Sequence, residues 1–231
     1  MATHLRDTIT INSLADICDS IAGALETDPK TEQLAPDWIT FTSKADKLVI
    51  EQQKLERKHS RARTRLAVQD AIWDPEIAAF GRATVDASNG KRDVPPYTRF
   101  FKELPPSEVQ KLVPEKEIAF AEGCIAELNR NPQEPLAVSW ISRIKVVTEA
   151  LSKALDARSN AEKEQQLLEV SRGLLLRDVN QALDVIEGDL QKIFPGDTKR
   201  VSSYLSSTKP SVSTTKAADT KKAKDEAPSG S

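Results

Sequence analysis

Histidine and cysteine are nearly absent from this chain, two of each in 231 residues. His4 and His59 share no metal-ligand spacing with Cys18 and Cys124, so neither a structural zinc site nor a disulfide framework is expected. Each cysteine sits among helical apolar residues and reads as a small buried hydrophobe. Glu56-Arg57-Lys58-His59 is one Glu-x-x-His, but a di-metal carboxylate bundle takes two, from separate helices. The other histidine, His4, has Met1 three residues before it. His59 also has no Ser, Cys or paired carboxylates beside it in sequence, which makes it a poor nucleophile partner. The expectation is therefore a protein with no cofactor, no metal and no enzymatic activity.

Glycine is scarce too, with 8 in the whole chain, and aromatics are 5%. So few glycines argue against a sheet protein with many tight turns, and so few rings predict a core of Leu, Ile, Val and Ala. No run approaches the ~18 apolar residues of a membrane span. Met1 to Asp7 lacks the basic-then-apolar order of a signal peptide. These absences lead to the expectation of a soluble, cytoplasmic protein with no membrane association.

What the chain does have is charge and helical periodicity. Charged residues are 29% of it. From Pro195 onward seven Lys/Arg face four Asp/Glu, a net of +3, so the rest carries −5. An acidic body with a mildly basic tail is not the profile of a dedicated nucleic-acid binder.

Residues 1–35 form an N-terminal arm with one helix, capped by Asn12 or Ser13 and carrying Leu14, Ile17, Cys18, Ile21 and Leu25 on one face. A helix this short is marginal alone, so the arm is expected to dock. A long segment then runs from about Asp37 to Ala87. Alternating steps of three and four trace a seam through Phe41, Ala45, Leu48, Gln52, Leu55, His59, Ala62, Leu66, Gln69, Trp73, Glu76 and Phe80. Eight of these twelve are apolar, which suits coiled-coil-like packing on a second helix. Asp74-Pro75 predicts a kink or break, because proline removes a backbone donor and crowds the preceding turn.

Ser88 to Pro106 holds four of the thirteen prolines and is the expected reversal. Pro114 opens a shorter helix reaching about Asn129, with Ile118, Ala121, Ile125 and Leu128 inward. The last segment, from about Leu136 to Phe194, carries a sixteen-position seam from Ile141 to Ile193, twelve of them apolar. Continuous helix is favoured there over a hairpin at Arg158-Ser159-Asn160, since no Gly or Pro interrupts. The expected architecture is all-α: an elongated helical bundle over 36–194 built on two long coiled-coil-like helices, with residues 195–231 a mostly disordered tail.

Three features are candidate sites. Lys54, Arg57, Lys58, Arg61, Arg63 and Arg65 put six cations in twelve residues, and Lys54, Lys58, Arg61 and Arg65 share a helical stripe. The stripe suits phosphate contacts, or a solvated face paired with Glu162, Glu164 and Glu169. No aromatic is interleaved to stack on bases. Tyr97, Phe100 and Phe101 with Arg99 and Lys102 have the composition of a partner-interface anchor, or of a plug closing the bundle end. Gln52, His59, Gln69, Arg158, Gln165 and Arg172 are polar at seam positions, where such residues set register. Trp38 and Trp140 read as packing at helix starts, and the tail lysines Lys216, Lys221, Lys222 and Lys224 as a solubilising tail or weak tether. Taken together these features predict a non-enzymatic scaffold or interaction protein, acting by self-association or by binding a partner helix. The second reading is a nucleic-acid-associated protein using residues 54–65 and the tail.

Overall fold

The computed structural model describes residues 4–208. Among them every regular element is helical: α1 (Ile11–Glu26), a 3-10 turn (Glu32–Leu34), α2 (Ala35–Ala87), α3 (Tyr97–Phe101), α4 (Pro106–Val109), α5 (Pro114–Leu128), α6 (Pro135–Ile193), α7 (Thr198–Tyr204) and a final 3-10 turn (Ser206–Thr208). At 1.5 Å per residue, α2 and α6 are about 80 and 88 Å long.

The two long helices lie antiparallel, and contacts along their length show it. Arg143 on α6 pairs with Glu76 on α2 at 2.7 Å, Trp73 donates its indole N–H to Thr148 Oγ1 at 3.2 Å, and Lys58 bonds Glu164 at 2.6 Å. The first residue falls as the second rises. Every seam position expected on α2 and α6 is buried or half-buried, and none is exposed. α6 is one continuous helix, so no hairpin forms at Arg158-Ser159-Asn160. α2 runs through Pro75 without a break.

The apolar residues gather into two separate cores, one at each end of this pair. At one end α1 packs along the start of α2, and Leu14, Cys18, Ile21 and Leu25 meet Trp38, Leu176, Val179 and Leu183. At the other, α5 packs on the start of α6, and Trp73, Ile77 and Phe80 meet Cys124, Trp140, Ile144 and Leu151. Between them, near residues 52–65 of α2 and 155–172 of α6, the molecule is two helices thick. That neck is where the polar seam residues other than Gln69 fall.

Local chemistry explains the reversals. Asn89 (φ 53°) and Gly90 (φ 79°) take left-handed backbone after α2, a conformation glycine adopts without penalty. Ser88 fastens the next segment by donating to the Thr84 carbonyl at 2.8 Å and accepting the Tyr97 N–H at 3.1 Å.

One expectation needs correction. The N-cap of α1 is Thr10, which accepts the Ser13 N–H, because the helix begins earlier than Asn12. At the start of the segment 195–231, before the stretch from about Ser206 expected to be disordered, α7 folds back, burying Val201, Tyr204 and Leu205 against Phe194 and α1. Arg200 and Tyr204 both reach the Asp28 carboxylate there. The tail lysines and the rest of the expected disordered segment, 209–231, lie outside the described residues.

Candidate functional site

The burial pattern beside the seams separates two faces of the helix pair. One row per helix lies against the third-layer helices and is covered at the ends. On α6 it runs Thr148, Leu155, Glu162, Glu169, Leu176 and Leu183, in steps of seven; it is buried or half-buried except at Glu169, in the neck. On α2 it runs Thr42, Val49, Glu56, Arg63, Asp70, Ile77 and Thr84, exposed only at Glu56 and Arg63, again in the neck.

The rows on the opposite side behave differently. Lys44, Glu51, Lys58, Arg65 and Ile72 on α2, Lys47, Lys54, Arg61 and Val68 beside them, and Val146, Lys153, Asn160, Leu167, Leu174 and Gln181 on α6 are all exposed. Apart from Lys153, which borders a groove against Ile118, Glu122 and Ile125 of α5, these rows are left uncovered by the described residues. The helix pair therefore presents a bare face on the order of 50 Å long. Seven of these fifteen residues are cations and one is an anion, and the α6 row between them, Ala150, Ala157, Glu164, Ser171, Asp178 and Val185, adds two carboxylates. Five are apolar, and Val146, Leu167, Leu174, Val68 and Ile72 are 63, 66, 49, 50 and 47% exposed. A groove lined by Asp37, Phe41 and Lys44 of α2 and by Asp178, Ala182, Val185 and Asp189 of α6 extends it toward the α1 end, where the face is no longer basic.

The basic stripe belongs largely to this face. Lys54, Lys58, Arg61 and Arg65 lie on it, Arg57 points away from α6, and Arg63 sits at the neck on the covered side. Pairing with the acidic stretch of α6 takes up one cation only, Lys58 with Glu164. Glu162 is held by Arg158 at 2.8 Å, and its carboxyl is kept below its ordinary value by that bond and, more weakly, by His59. Glu169 pairs with Arg172. Lys54, Arg57, Arg61, Arg63 and Arg65 have no ion-pair partner among the described residues. Meanwhile α1 carries Asp16, Asp19 and Glu26 and no base, and α5 carries four glutamates and one lysine. The molecule is thus polarised across its thickness, basic on the bare face and acidic in the third layer.

The aromatic anchor candidates lie elsewhere. Tyr97, Phe100 and Phe101 are 6, 8 and 2% exposed, with Phe100 and Phe101 packed on Phe80, so the rings close the bundle end and offer no outward anchor. Arg99 is half-buried on Glu134 at 2.7 Å, and Lys102 is exposed. Trp38 and Trp140 are buried at the starts of α2 and α6.

Of the polar seam residues, Gln52, His59 and Gln165 line an open notch of about 610 Å3 in the neck, together with Glu162. His59 lies 3.6 Å from Glu162. Arg172 has a different task, donating to the Asp7 and Ile9 carbonyls at 2.8 Å each and so tying the entry to α1 onto α6.

Two further groups bear on chemistry. Cys18 and Cys124 are buried, and burial pushes both thiols up to about 12, which leaves no thiolate at neutral pH. Glu117, which no sequence pattern singles out, is carried inward by α5 against Asp70 and Asp74 of α2. Among the described residues no group of three or more His, Cys, Asp and Glu is arranged to hold a metal ion. No described helix is long and apolar enough to cross a membrane. Comparison with protein families, with curated proteins and with solved structures finds no match.

Proposed function

We propose that the protein is a non-enzymatic scaffold or interaction protein whose working element is the bare face of its long helix pair. One observation carries this reading. On one side the seam-flanking row of α2 and the outer rows of both helices stay exposed. The seam-flanking row of α6 on that side is half-buried at Ala150, Ala157 and Glu164 and exposed at Ser171, Asp178 and Val185, while the third-layer helices α1 and α5 cover the other side. Of the eleven exposed large apolar residues among the described ones, five belong to the fifteen of the bare face, with Leu167 and Leu174 one heptad apart beside the cations.

Of the two routes, partner binding fits this face better than self-association through it. A second copy laid face to face would bring two cation-rich rows together, and like charges at contact are strongly unfavourable. Light scattering during gel filtration at moderate salt, with absorbance at 260 and 280 nm, tests the route. The expected result is a monomer free of nucleic acid. A dimer dispersed by apolar-to-polar changes on the bare face would restore self-association.

The second reading, nucleic-acid association, is favoured by the unpaired cations Lys54, Arg57, Arg61 and Arg65. It requires 260 nm absorbance that co-elutes at low salt and is lost at high salt, and duplex binding abolished by Arg57→Glu, Arg61→Glu and Arg65→Glu.

A further inference from the structure

The bare face combines two chemistries that seldom serve the same ligand: a line of unpaired cations on α2 and a line of exposed aliphatic side chains on α6. Phosphates of a nucleic-acid duplex would engage the first and leave Leu167 and Leu174 in water. An apolar groove on another protein would engage the second and strand the cations. Two surfaces take both: an acidic amphipathic helix of another protein, and a bilayer whose anionic headgroups meet Lys and Arg while aliphatic side chains enter the boundary between headgroup and acyl chain. Cations spread over two rows of α2, along a face on the order of 50 Å long, suit the broader of the two, the bilayer.

We propose that the bare face docks this protein, peripherally and lengthwise, on an anionic lipid bilayer, with Lys54, Arg61 and Arg65 over the headgroups and Leu167 and Leu174 inserted beside them. This rests on the scaffold reading and names the partner of the same face. Charge distribution fixes the orientation. The acidic helices α1 and α5 lie on the opposite side, so an anionic surface attracts the bare face and repels the covered one. Docking on a bilayer asks for no spanning segment. The absence of one, which led to the expectation of no membrane association, therefore leaves this mode open.

The test is flotation of the full chain with vesicles of phosphatidylcholine alone and of phosphatidylcholine mixed with phosphatidylserine. Binding is expected only to the mixed vesicles, weakening as salt rises. Lys54, Arg61 and Arg65 make no ion pair among the described residues, so K54E/R61E/R65E should keep its helicity while losing roughly tenfold or more in vesicle binding. L167S/L174S, also at exposed positions, should weaken vesicle binding and leave any binding to a DNA duplex unchanged. If folded wild type ignores the mixed vesicles, the lipid assignment falls and the scaffold reading stands. If it binds them and both variants bind equally well, the bare face is not the working surface and both fall. Tighter binding to duplex than to vesicles, insensitive to L167S/L174S, transfers the face to nucleic acid and overturns the lipid assignment.

Discussion

Glu117 is 1% exposed at the start of α5, and its Oε2 and the neighbouring Asp74 Oδ1 are buried with no hydrogen-bond partner. Burial, then the hydrogen bond to Asp70, then the charges of Asp70, Asp74 and Glu115 push its carboxyl up to about 8. The folded protein keeps this proton to about pH 8, whereas the unfolded chain releases it near the ordinary value of 4.5. Glu117's contribution to stability is therefore full below that ordinary value and is lost as pH rises toward 8. In urea unfolding, wild type should weaken across this window. Glu117→Gln, which needs no titratable proton to donate to Asp70, should stay flatter and be the more stable protein at the alkaline end by roughly 1–3 kcal/mol. An identical pH dependence in both proteins would count against the buried proton.

At the scale of elements, two glycines in long helices should respond oppositely to the same change. A Cβ on Gly81 would stand 2.4 Å from Pro106 Cγ, so Gly81→Ala must push α4 off α2 and should lower stability by about 1–3 kcal/mol. Gly173 in α6 has nothing within 4 Å, and Gly173→Ala should raise stability by about 0.5–1 kcal/mol through helix propensity alone. Thermal unfolding of both checks the α2–α4 contact. The long helices themselves were legible in the sequence, since a three-four spacing from Phe41 to Phe80 and from Ile141 to Ile193 has one efficient burial, against another such helix. The folded-back α7 was not. Val201, Tyr204 and Leu205 are too few to show a period, and their burial depends on Asp28 and Phe194, far off or across a turn. The bare face was half legible: the stripe of Lys54, Lys58, Arg61 and Arg65 could be traced. Its freedom could not, because which side of a seam stays open depends on where α1 and α5 pack. Tyr97, Phe100 and Phe101 were ambiguous for the same reason, as composition alone does not distinguish a plug from an anchor.

At the scale of the whole molecule, an α6 of 59 residues sets the long dimension. Small-angle scattering of the monomer should give a maximum dimension on the order of 90–100 Å. A value near half of that would mean that the helix pair folds on itself in solution. The cross-section along that length is uneven, three helices deep at either end and two in the middle. In a beam, resistance to flexure rises steeply with depth, so a load spread along such a rod bends it first at its thinnest section. Curvature then concentrates between residues 52–65 and 155–172, while the two capped ends turn as stiff arms about a compliant midpoint. A support that is not flat can be followed in this way without disturbing either apolar core.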